Sequence, residues 1–274
     1  GRELWTYEET NDTAWMVNDT NPGAGGGNFG SIVASGTRVY FSGDDGTNGR
    51  ELWAYEETND TTWMVADIHP TSDSTPSYIV ASDTRLYFQA ENDSTYGKEL
   101  WAYEETNDTV WMVDEFNLGN SDSSPANMIV SGSRLYFIAN DGNGYEVWTY
   151  EETNDTAWMI TDAGGVNPSY PPPLGVLGTR IFFDYSSTWT NRPELWSYEE
   201  TNDTAWRIAI TNQVIAYVSK MIVLDNRVYF KANDGVVGPE LWAYDPAGVT
   251  VSGQNSGPNN GPVTNATCEI SPAL

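Results

Sequence analysis

Cysteine and histidine are almost absent from this chain, which has one of each in 274 residues. A single cysteine, Cys268, excludes an internal disulfide framework, so packing has to hold the fold together. The lone histidine, His69, lies in a variable loop before Pro70. Because no Ser–His pairing is evident, the sequence gives no support for a nucleophilic triad.

Basic residues are scarce as well, with 12 lysines and arginines against 39 acidic residues and a net charge of −27. Such a surface repels nucleic acid and anionic lipid, which argues against a nucleic-acid partner. Long apolar runs are missing too, so we expect no membrane insertion of this segment.

Tryptophan and tyrosine, in contrast, are frequent and recur within one repeated phrase, ELWxYEETNDTxW. Its copies start 46 to 48 residues apart, and the last copy is shortened to ELWAY: Glu3, Glu51, Glu99, Glu146, Glu194 and Glu240. A period of this size, made of short β-type segments, is typical of a radial or stacked all-β architecture.

One repeat, residues 77–114, has four β-rich runs separated by turn residues. The runs SYIVAS, RLYFQA, KELWAYEE and TVWMVD predict four antiparallel strands, which we name A to D in chain order. In strand C, bulky Trp and Tyr alternate with Leu and a small residue, so both faces are apolar and suit a sheet buried on both sides. This pattern predicts the stacked blades of a β-propeller, with the tryptophans of strands C and D packed in the core and between blades.

The strand count predicts how the ring closes. The chain has five A, five B and five D strands but six copies of C. We expect an all-β, five-bladed β-propeller of four-stranded antiparallel blades, closed by pairing of the last A and B strands with the N-terminal C–D hairpin, residues 3–17. One C strand, either Glu3–Glu8 or Glu240–Tyr244, is then surplus and has to extend a blade, lie outside or pair with another molecule.

These residues resemble the surface repeats of bacteria and archaea that are named for an ELWxxDGT signature. The shared features are ELWAY, an Asp-Gly before it (as in Asp141-Gly142), the ADI of residues 66–68 after strand D and the LYF of residues 135–137 after a Gly-Ser turn. The resemblance covers roughly residues 1–245. It implies a propeller displayed outside the cell, in a family that largely has no assigned activity. The chain departs from the signature where Glu-Glu-Thr-Asn-Asp-Thr replaces Asp-Gly-Thr, a variant similar to those of marine archaeal surface proteins.

The tail, residues 246–274, has no repeat and is rich in Gly, Pro, Asn and Ser, so it is interpreted as a linker. Its end, TNATCEISPAL, is similar to the opening strand of immunoglobulin-like domains. We expect either the first strand of a following domain or a strand donated to a neighbour. Because the chain opens inside a repeat, we also expect earlier processing or a larger parent protein.

The sequon N-x-S/T recurs at the C–D turn of every full repeat and occurs at three further places. We predict N-glycosylation at these positions: Asn11, Asn18, Asn59, Asn92, Asn107, Asn154, Asn202 and Asn265. The alternative is that Asn-Asp makes a good hairpin turn and that duplication copied it together with its threonine. In an antiparallel blade the A–B and C–D turns share one end, so the glycans would lie opposite the variable B–C and D–A loops.

Loops rich in Asp and Asn before strand C, residues 44–48 and 140–143, could bind calcium, although polar turns explain them as well. The Thr-x-Trp after the C–D turn partly resembles the Asp-box hairpins of sialidase-like propellers, but the glycine of that motif is missing. Five arginines at one repeated position are interpreted as structural: Arg38, Arg85, Arg134, Arg180 and Arg227. With no asymmetric cluster of acid, base and orienting residue, we predict no catalytic residue, no metal site and no cofactor apart from glycans and, at most, calcium.

The sequence therefore predicts a non-enzymatic structural or display module of an extracellular or cell-surface glycoprotein. It could be the repeating subunit of a filament joined by the surplus strand or by the tail. One alternative is an adhesion propeller that binds a carbohydrate or a protein through its variable D–A loops. A glycoside hydrolase or lyase is a third, which would need two carboxylates facing each other in a cleft.

Overall fold

The computed structural model describes residues 3–22, 26–92, 96–161, 174–185, 194–208, 216–233, 239–246, 252–253 and 270–272. Within these residues the chain forms strands and turns and no helix. Accordingly, the described part holds no helix with the length and apolarity that a membrane crossing requires. The chain divides into two compact units, one of residues 1–133 with 139–142 and the other of residues 134–138 with 143–274.

The described strands fall into the four classes that the repeat predicts. The A strands are β3 (Gly30–Ser35), β7 (Ser77–Ala81), β11 (Ala126–Ser131), β15 (Leu174–Leu177) and β19 (Ala216–Leu224). The B strands are β4 (Arg38–Asp44), β8 (Arg85–Glu91), β12 (Arg134–Asn140), β16 (Arg180–Tyr185) and β20 (Arg227–Asn233). The C strands are β1 (Leu4–Glu8), β5 (Arg50–Glu56), β9 (Lys98–Glu104), β13 (Tyr145–Glu151), β17 (Glu194–Glu199) and β21 (Pro239–Tyr244). The D strands are β2 (Thr13–Asn18), β6 (Thr61–Ala66), β10 (Thr109–Asp114), β14 (Thr156–Met159) and β18 (Thr204–Ile208), and two short strands follow, β22 (Ser252–Gly253) and β23 (Ile270–Pro272).

In the four sheets that contain all four classes of strand, the strands pair in the order A-B-C-D, as the sequence predicts. Three sheets have the orders β3-β4-β5-β6, β7-β8-β9-β10 and β11-β12-β13-β14. The next sheet, β15-β16-β17-β18-β23, carries the tail strand on the outer edge of β18, and the last sheet is β19-β20-β21-β22. The tail strand, expected to begin a further domain or to pair with a neighbouring molecule, is thus paired within the chain, with Arg207 opposite Ser271.

The C strand that pairs with no B strand in the described structure is β1. Strand β20 lies between β19 and β21, so the last A and B strands pair with the C strand of their own repeat. Strand β1 pairs with β2 alone in a two-stranded sheet. The predicted closure of the ring by the N-terminal hairpin is therefore not formed among the described residues. Only five residues of sequence separate β20 from β21, and such a short connection favours the local pairing.

In each unit neighbouring sheets pack face to face. Between the sheets β3–β6 and β7–β10, a core cluster contains Tyr40 and Tyr103, whose ring centroids are 5.7 Å apart. In the second unit, Phe182 and Tyr244 lie at the same separation, 5.7 Å, in the cluster between the sheets of β16 and β20. Strands β5 and β9 each have five consecutive buried residues, so both of their faces are covered, as the apolar pattern predicts.

The interpretation of the tryptophans as packing residues is right for most repeats and wrong for the first. Trp53 and Trp101 of strand C are buried. Trp5 and Trp15, the corresponding tryptophans of the hairpin β1–β2, are exposed. Leu4 and Val17 of the hairpin pack against the cluster of Phe41, Trp53 and Tyr55. In the described structure, however, no sheet covers the face that carries Trp5, and no B strand supplies an arginine over Trp15.

Candidate functional site at the C–D hairpins

The C–D hairpin has the same closed turn in every full repeat. In β9–β10 the turn lies between Glu104 and Thr109, which pair with each other, and the Tyr103 hydroxyl donates a hydrogen bond to Asp108 Oδ1 at 2.9 Å. The corresponding Tyr–Asp hydrogen bonds of the other repeats are 2.5–3.1 Å long. The five aspartates have φ between 51° and 56°, a left-handed conformation that Asp and Asn tolerate better than most residues: Asp12, Asp60, Asp108, Asp155 and Asp203. The aspartate of Asn-Asp-Thr therefore shapes and fastens the turn.

An arginine of strand B holds each complete hairpin from the side. Arg85 Nε donates to Glu104 Oε2 at 2.9 Å, and its guanidinium carbon lies 5.3 Å from the ring centre of Trp111. Burial raises the pKa of Glu104, but the hydrogen bonds from Arg85 and Thr106 outweigh it and leave that pKa below its ordinary value. The same arrangement recurs with N–O distances of 3.0–3.1 Å in three other repeats, at Arg38, Arg134 and Arg180. The structural interpretation of these arginines is confirmed.

One of these arginines also ties its sheet to the hairpin of the next repeat. Arg134 Nη1 donates to the Tyr198 hydroxyl at 3.2 Å and to Asp203 Oδ1 at 3.1 Å. A third bond from the same nitrogen reaches the carbonyl oxygen of Glu200 at 3.4 Å. Since Tyr198 itself donates to Asp203, the turn is fixed by both repeats.

The asparagine of the turn is exposed and has one protein hydrogen bond. Thr109 Oγ1 donates to Asn107 Oδ1 at 2.5 Å. The four other turns have the same threonine–asparagine bond, at Asn11, Asn59, Asn154 and Asn202. All five asparagines are exposed, and in the described part of the chain their Nδ2 atoms make no hydrogen bond. A glycan on Nδ2 would therefore break no protein contact of these side chains.

The three other sequons differ from this class. Asn18 is half-buried, and Thr20 of its sequon is buried and donates its hydroxyl to the carbonyl oxygen of Asp44 at 3.1 Å. Asn92 is half-buried, and its sequon continues into residues 93–95, which are not described. Asn265 lies outside the described residues. The structure thus groups five of the eight predicted sites and separates Asn18 and Asn92 from them.

At the opposite end of the sheets, a buried glutamate fastens the D–A loop. Glu99, the first residue of ELWAY, accepts hydrogen bonds from the Ser123 hydroxyl at 2.5 Å, from Ser123 N at 3.2 Å and from Phe116 N at 3.3 Å. Burial raises the pKa of Glu99 to about 7, although these three hydrogen bonds act in the opposite direction. This glutamate is a structural clamp that holds the chain between strands D and A.

Sequence reasoning missed this clamp, which the described residues also show in the preceding repeat. In the preceding repeat Glu51 accepts from Ile68 N and from both the N–H and the hydroxyl of Ser74, at 2.6–3.0 Å. The signal was present as SDSTP in residues 72–76 and SDSSP in residues 121–125. Because the D–A loops vary in length and composition, they were interpreted as variable, and this shared motif was overlooked.

The Asp- and Asn-rich loop before β5 uses its carboxylates inside the turn. Asp45 Oδ1 accepts from Thr47 N and Asn48 N, both at 2.8 Å, and Asp44 Oδ1 accepts from Gly46 N at 2.6 Å. Burial raises the pKa of Asp45, but the hydrogen bonds from Asn48 and Thr47 lower it by a larger amount, so the pKa lies below its ordinary value. These contacts favour the polar-turn interpretation of the loop. Among the described residues no three His, Cys, Asp or Glu side chains are grouped so that they could hold a metal ion.

One buried carboxyl group is not explained by the repeat. Asp184 occupies the fifth position of its B strand, where the other repeats have Ser42, Gln89, Ile138 and Lys231. Burial raises the pKa of Asp184 to about 7, and its Oδ1 has no hydrogen-bond partner in the described structure.

Comparison with solved structures supports an all-β, propeller-like fold. Neither protein-family models nor curated protein sequences gave a match. A puromycin-hydrolysing peptidase of Mycobacterium tuberculosis is similar with a TM-score of 0.58 and 12% identity, over 88% of this chain and 39% of that chain. A puromycin hydrolase gives a TM-score of 0.56 and 12% identity over 86% and 38%, and a prolyl endopeptidase gives 0.53 and 11% over 80% and 34%. The chain spans about two fifths of these chains or less, and at such identities the likeness concerns the fold alone.

Proposed function

We propose that the protein is a non-enzymatic display module of an extracellular glycoprotein, with N-glycans on its C–D hairpins. The observation that carries this proposal is the set of five equivalent asparagines, each exposed, with Oδ1 bonded to the threonine of the sequon and Nδ2 unused in the described structure. Asn-Asp makes a hairpin turn by itself, and the threonine that bonds to Asn Oδ1 is also the residue that a sequon requires.

The hairpins would present the glycans from rigid positions. The C–D turn is bonded to the A–B turn beside it through Glu57 N and the Thr37 carbonyl at 3.0 Å, and through Glu105 N and the Thr84 carbonyl at 3.0 Å. Within each such sheet, the clamped D–A loop lies at the other end. In this proposal the five sheets from β3–β6 to β19–β22 are five propeller blades, and copies of the module join into a larger extracellular assembly.

Glycopeptide mass spectrometry of the full chain, purified from a host that performs N-glycosylation, tests the proposal. We expect glycans at the five hairpin asparagines and none at Asn18. The matched variants are Thr109→Ala and Thr109→Ser: the first should remove the modification of Asn107, and the second should retain it. If all five asparagines are unmodified while a control sequon of the same host is occupied, the proposal is wrong.

A binding module is the second candidate, because one apolar side chain stands out in a D–A loop. Leu118 is 82% exposed in the loop between β10 and β11. A single exposed leucine is weak support, since isolated apolar residues are common on protein surfaces. An array of glycans and surface proteins probed with the wild type and with Leu118→Ser tests this candidate: binding that the variant loses supports it, and no binding excludes it.

A further inference from the structure

The N-terminal hairpin β1–β2 is the outer half of a sheet whose inner half is missing. Its pairing, with Glu8 opposite Thr13 and Tyr7 opposite Ala14, repeats the pairing of Glu56 with Thr61 in β5–β6. In that sheet strand β4 covers the other edge of β5. Strand β1 has β2 as its one neighbour in the described structure, so its other edge is open.

Beside the open edge, one face of the hairpin leaves large aromatic side chains in solvent. Trp5 is 62% exposed and Tyr7 is 60% exposed. The residues at the same positions of β5, Trp53 and Tyr55, are 9% and 8% exposed. An uncovered strand edge flanked by exposed aromatic residues is suited to pairing with a further strand.

A B strand would also satisfy two groups of the hairpin that the other repeats pair with arginine. Glu8 accepts its described hydrogen bonds from Thr10 alone, whereas the glutamates at its position in four other sheets form an ion pair with the arginine of strand B. Trp15 is exposed, whereas its counterpart Trp63 lies under Arg38 at 5.6 Å. The hairpin therefore lacks one arginine that enters from a B strand.

In the last sheet the equivalent ion pair is formed by Arg227 and Asp245, and it is longer and more exposed. Arg227 of β20 contacts Asp245 at 3.4 Å and has a side chain that is 56% exposed, against 16% for Arg85. Ala243 of β21 pairs with Ser252 of the two-residue strand β22, whereas Ala54 of β5 pairs with a tryptophan, Trp63. In the described structure, β22 therefore places no tryptophan ring against Arg227, in contrast to Trp63 against Arg38. The hairpin has a glutamate without an ion pair and an exposed tryptophan, and the last sheet has an arginine whose ion pair with Asp245 is longer than those of the other sheets, so the two are complementary.

We propose that the hairpin β1–β2 of one copy takes the place of β21–β22 in the last sheet of a second copy. This inference rests on the proposed display function and names the surfaces that join its copies. By the register of β4 with β5, Glu8 would lie opposite Arg227, and Leu4 opposite Lys231, the position that Leu241 occupies within one chain. The incoming Leu-Trp-Thr-Tyr matches the Leu-Trp-Ala-Tyr that it replaces, and it adds Trp15 and a six-residue D strand.

The threonine in this sequence fits the buried position that it would enter. Thr6 replaces Ala243, and Thr149, at the same position of β13, is fully buried in its own sheet. Within one chain β21 holds this place, so the incoming hairpin has to displace β21 from the edge of β20. Such a contact joins two different surfaces and repeats from copy to copy, which generates rings or filaments.

Disulfide trapping in the full chain tests the proposal. In a Cys268→Ser background, Leu4→Cys and Lys231→Cys are placed on two differently tagged chains that are expressed together. Residues directly opposite each other in antiparallel strands are close enough for a disulfide. We expect a disulfide-linked heterodimer on a non-reducing gel, and a ladder of oligomers from a chain that carries both substitutions. The matched control pairs Leu4→Cys with Lys220→Cys, an exposed position of β19 that does not face the incoming strand in the proposed register.

Two results would overturn the proposal: a heterodimer no more abundant than in the control, or a doubly substituted chain that closes only within itself. Charge reversal gives an independent readout. Glu8→Arg and Arg227→Glu should each lower the heterodimer yield roughly tenfold, and the combination should restore it. Thermal unfolding of each variant checks that it folds. The glycopeptide and disulfide experiments measure different groups, so either proposal can fail without the other.

Discussion

The hydroxyl of Tyr103 and the carboxylate of Asp108 are 2.9 Å apart, and this contact joins the end of strand C to the tip of its hairpin. Asp108 has a φ of 56°, so one residue provides both the left-handed turn and the acceptor that fastens it. Burial, together with the hydrogen bond to Asp108, raises the pKa of Tyr103 and keeps its hydroxyl a donor at physiological pH.

Replacement of this aspartate should loosen the hairpin. Asp108→Ala removes the acceptor and places an alanine in the left-handed region, and we expect it to lower the free energy of unfolding by about 1–3 kcal/mol. Asp108→Gly keeps the turn geometry and loses only the acceptor, so its effect should be smaller, while Asp108→Asn should be the mildest. Denaturant titration followed by tryptophan fluorescence measures the series. Equal stabilities of the alanine and asparagine variants would contradict this account.

The arginines at one repeat position should differ in importance because their surroundings differ. Arg85→Met removes an ion pair at 2.9 Å and the contact with Trp111, and we expect a loss of about 1–2 kcal/mol. Arg227→Met, the matched control, changes an exposed arginine with a longer contact to Asp245 and should have a smaller effect on the isolated chain. Thermal unfolding monitored by circular dichroism compares the two, and a larger effect at Arg227 would refute the prediction.

Gly49 should tolerate no side chain. Its φ is 80°, and an added Cβ would lie 2.6 Å from Asp73 Oδ1 and 2.9 Å from the carbonyl oxygen of Ser72. Asp73 accepts a hydrogen bond from Arg50 N at 3.0 Å, so it has little freedom to move away. We expect Gly49→Ala to cost more than Gly36→Ala, whose φ is 56° with nothing within 4 Å of the added carbon, where about 1–2 kcal/mol of backbone strain is the main cost. Unfolding midpoints that agree for the two variants would show that the contact with the loop is not tight.

The buried Glu99 should make stability depend on pH in a defined direction. Its pKa rises from 4.5 to about 7 on folding, so between these values the folded chain binds more protons than the unfolded chain. The contribution to the free energy of unfolding is therefore full below pH 4.5 and falls as pH rises to 7, by up to about 1.4 kcal/mol per pH unit. Glu99→Gln should flatten this slope. Glu57→Gln, which removes a charge from an exposed position, should keep it; the prediction fails if the slopes of the two variants agree.

Much of the fold could be predicted from the sequence because its signals are local and repeated. The four strands, a structural role for the repeated arginine and the turn at Asn-Asp-Thr follow from short segments such as residues 85–114. Pairing between distant segments does not follow in this way. The exposure of Trp5 depends on whether a neighbouring sheet covers its face, and the segments around Trp5 and Trp53 differ only at Thr6/Ala54 and Ala14/Thr62, which does not indicate that outcome.

The clamp at Glu99 was hidden for a different reason. A glutamate beside an alternating apolar strand is ordinarily expected in solvent, and its burial becomes understandable only with its three donors in place. Ser123, which supplies two of them, lies 24 residues further along the chain. The difference between the five hairpin sequons and Asn18 could not be predicted from the sequence either, because it depends on the buried hydroxyl of Thr20 and its contact with the Asp44 carbonyl.

The clamp of the D–A loops bears on how a chain of near-identical repeats avoids mis-assembly. Hairpins that share the phrase ELWxYEETNDTxW could exchange places during folding, a characteristic failure of repeat proteins. Glu51 accepts a hydrogen bond from Ser74, which lies 23 residues further along the chain. Strand C is therefore bonded to the segment that enters the next repeat, and this contact requires no distant copy of the repeat. Because this partner is close in sequence, we expect each hairpin to bind the loop that follows it before it can meet a loop of another repeat, which gives interchangeable hairpins a fixed order along the chain.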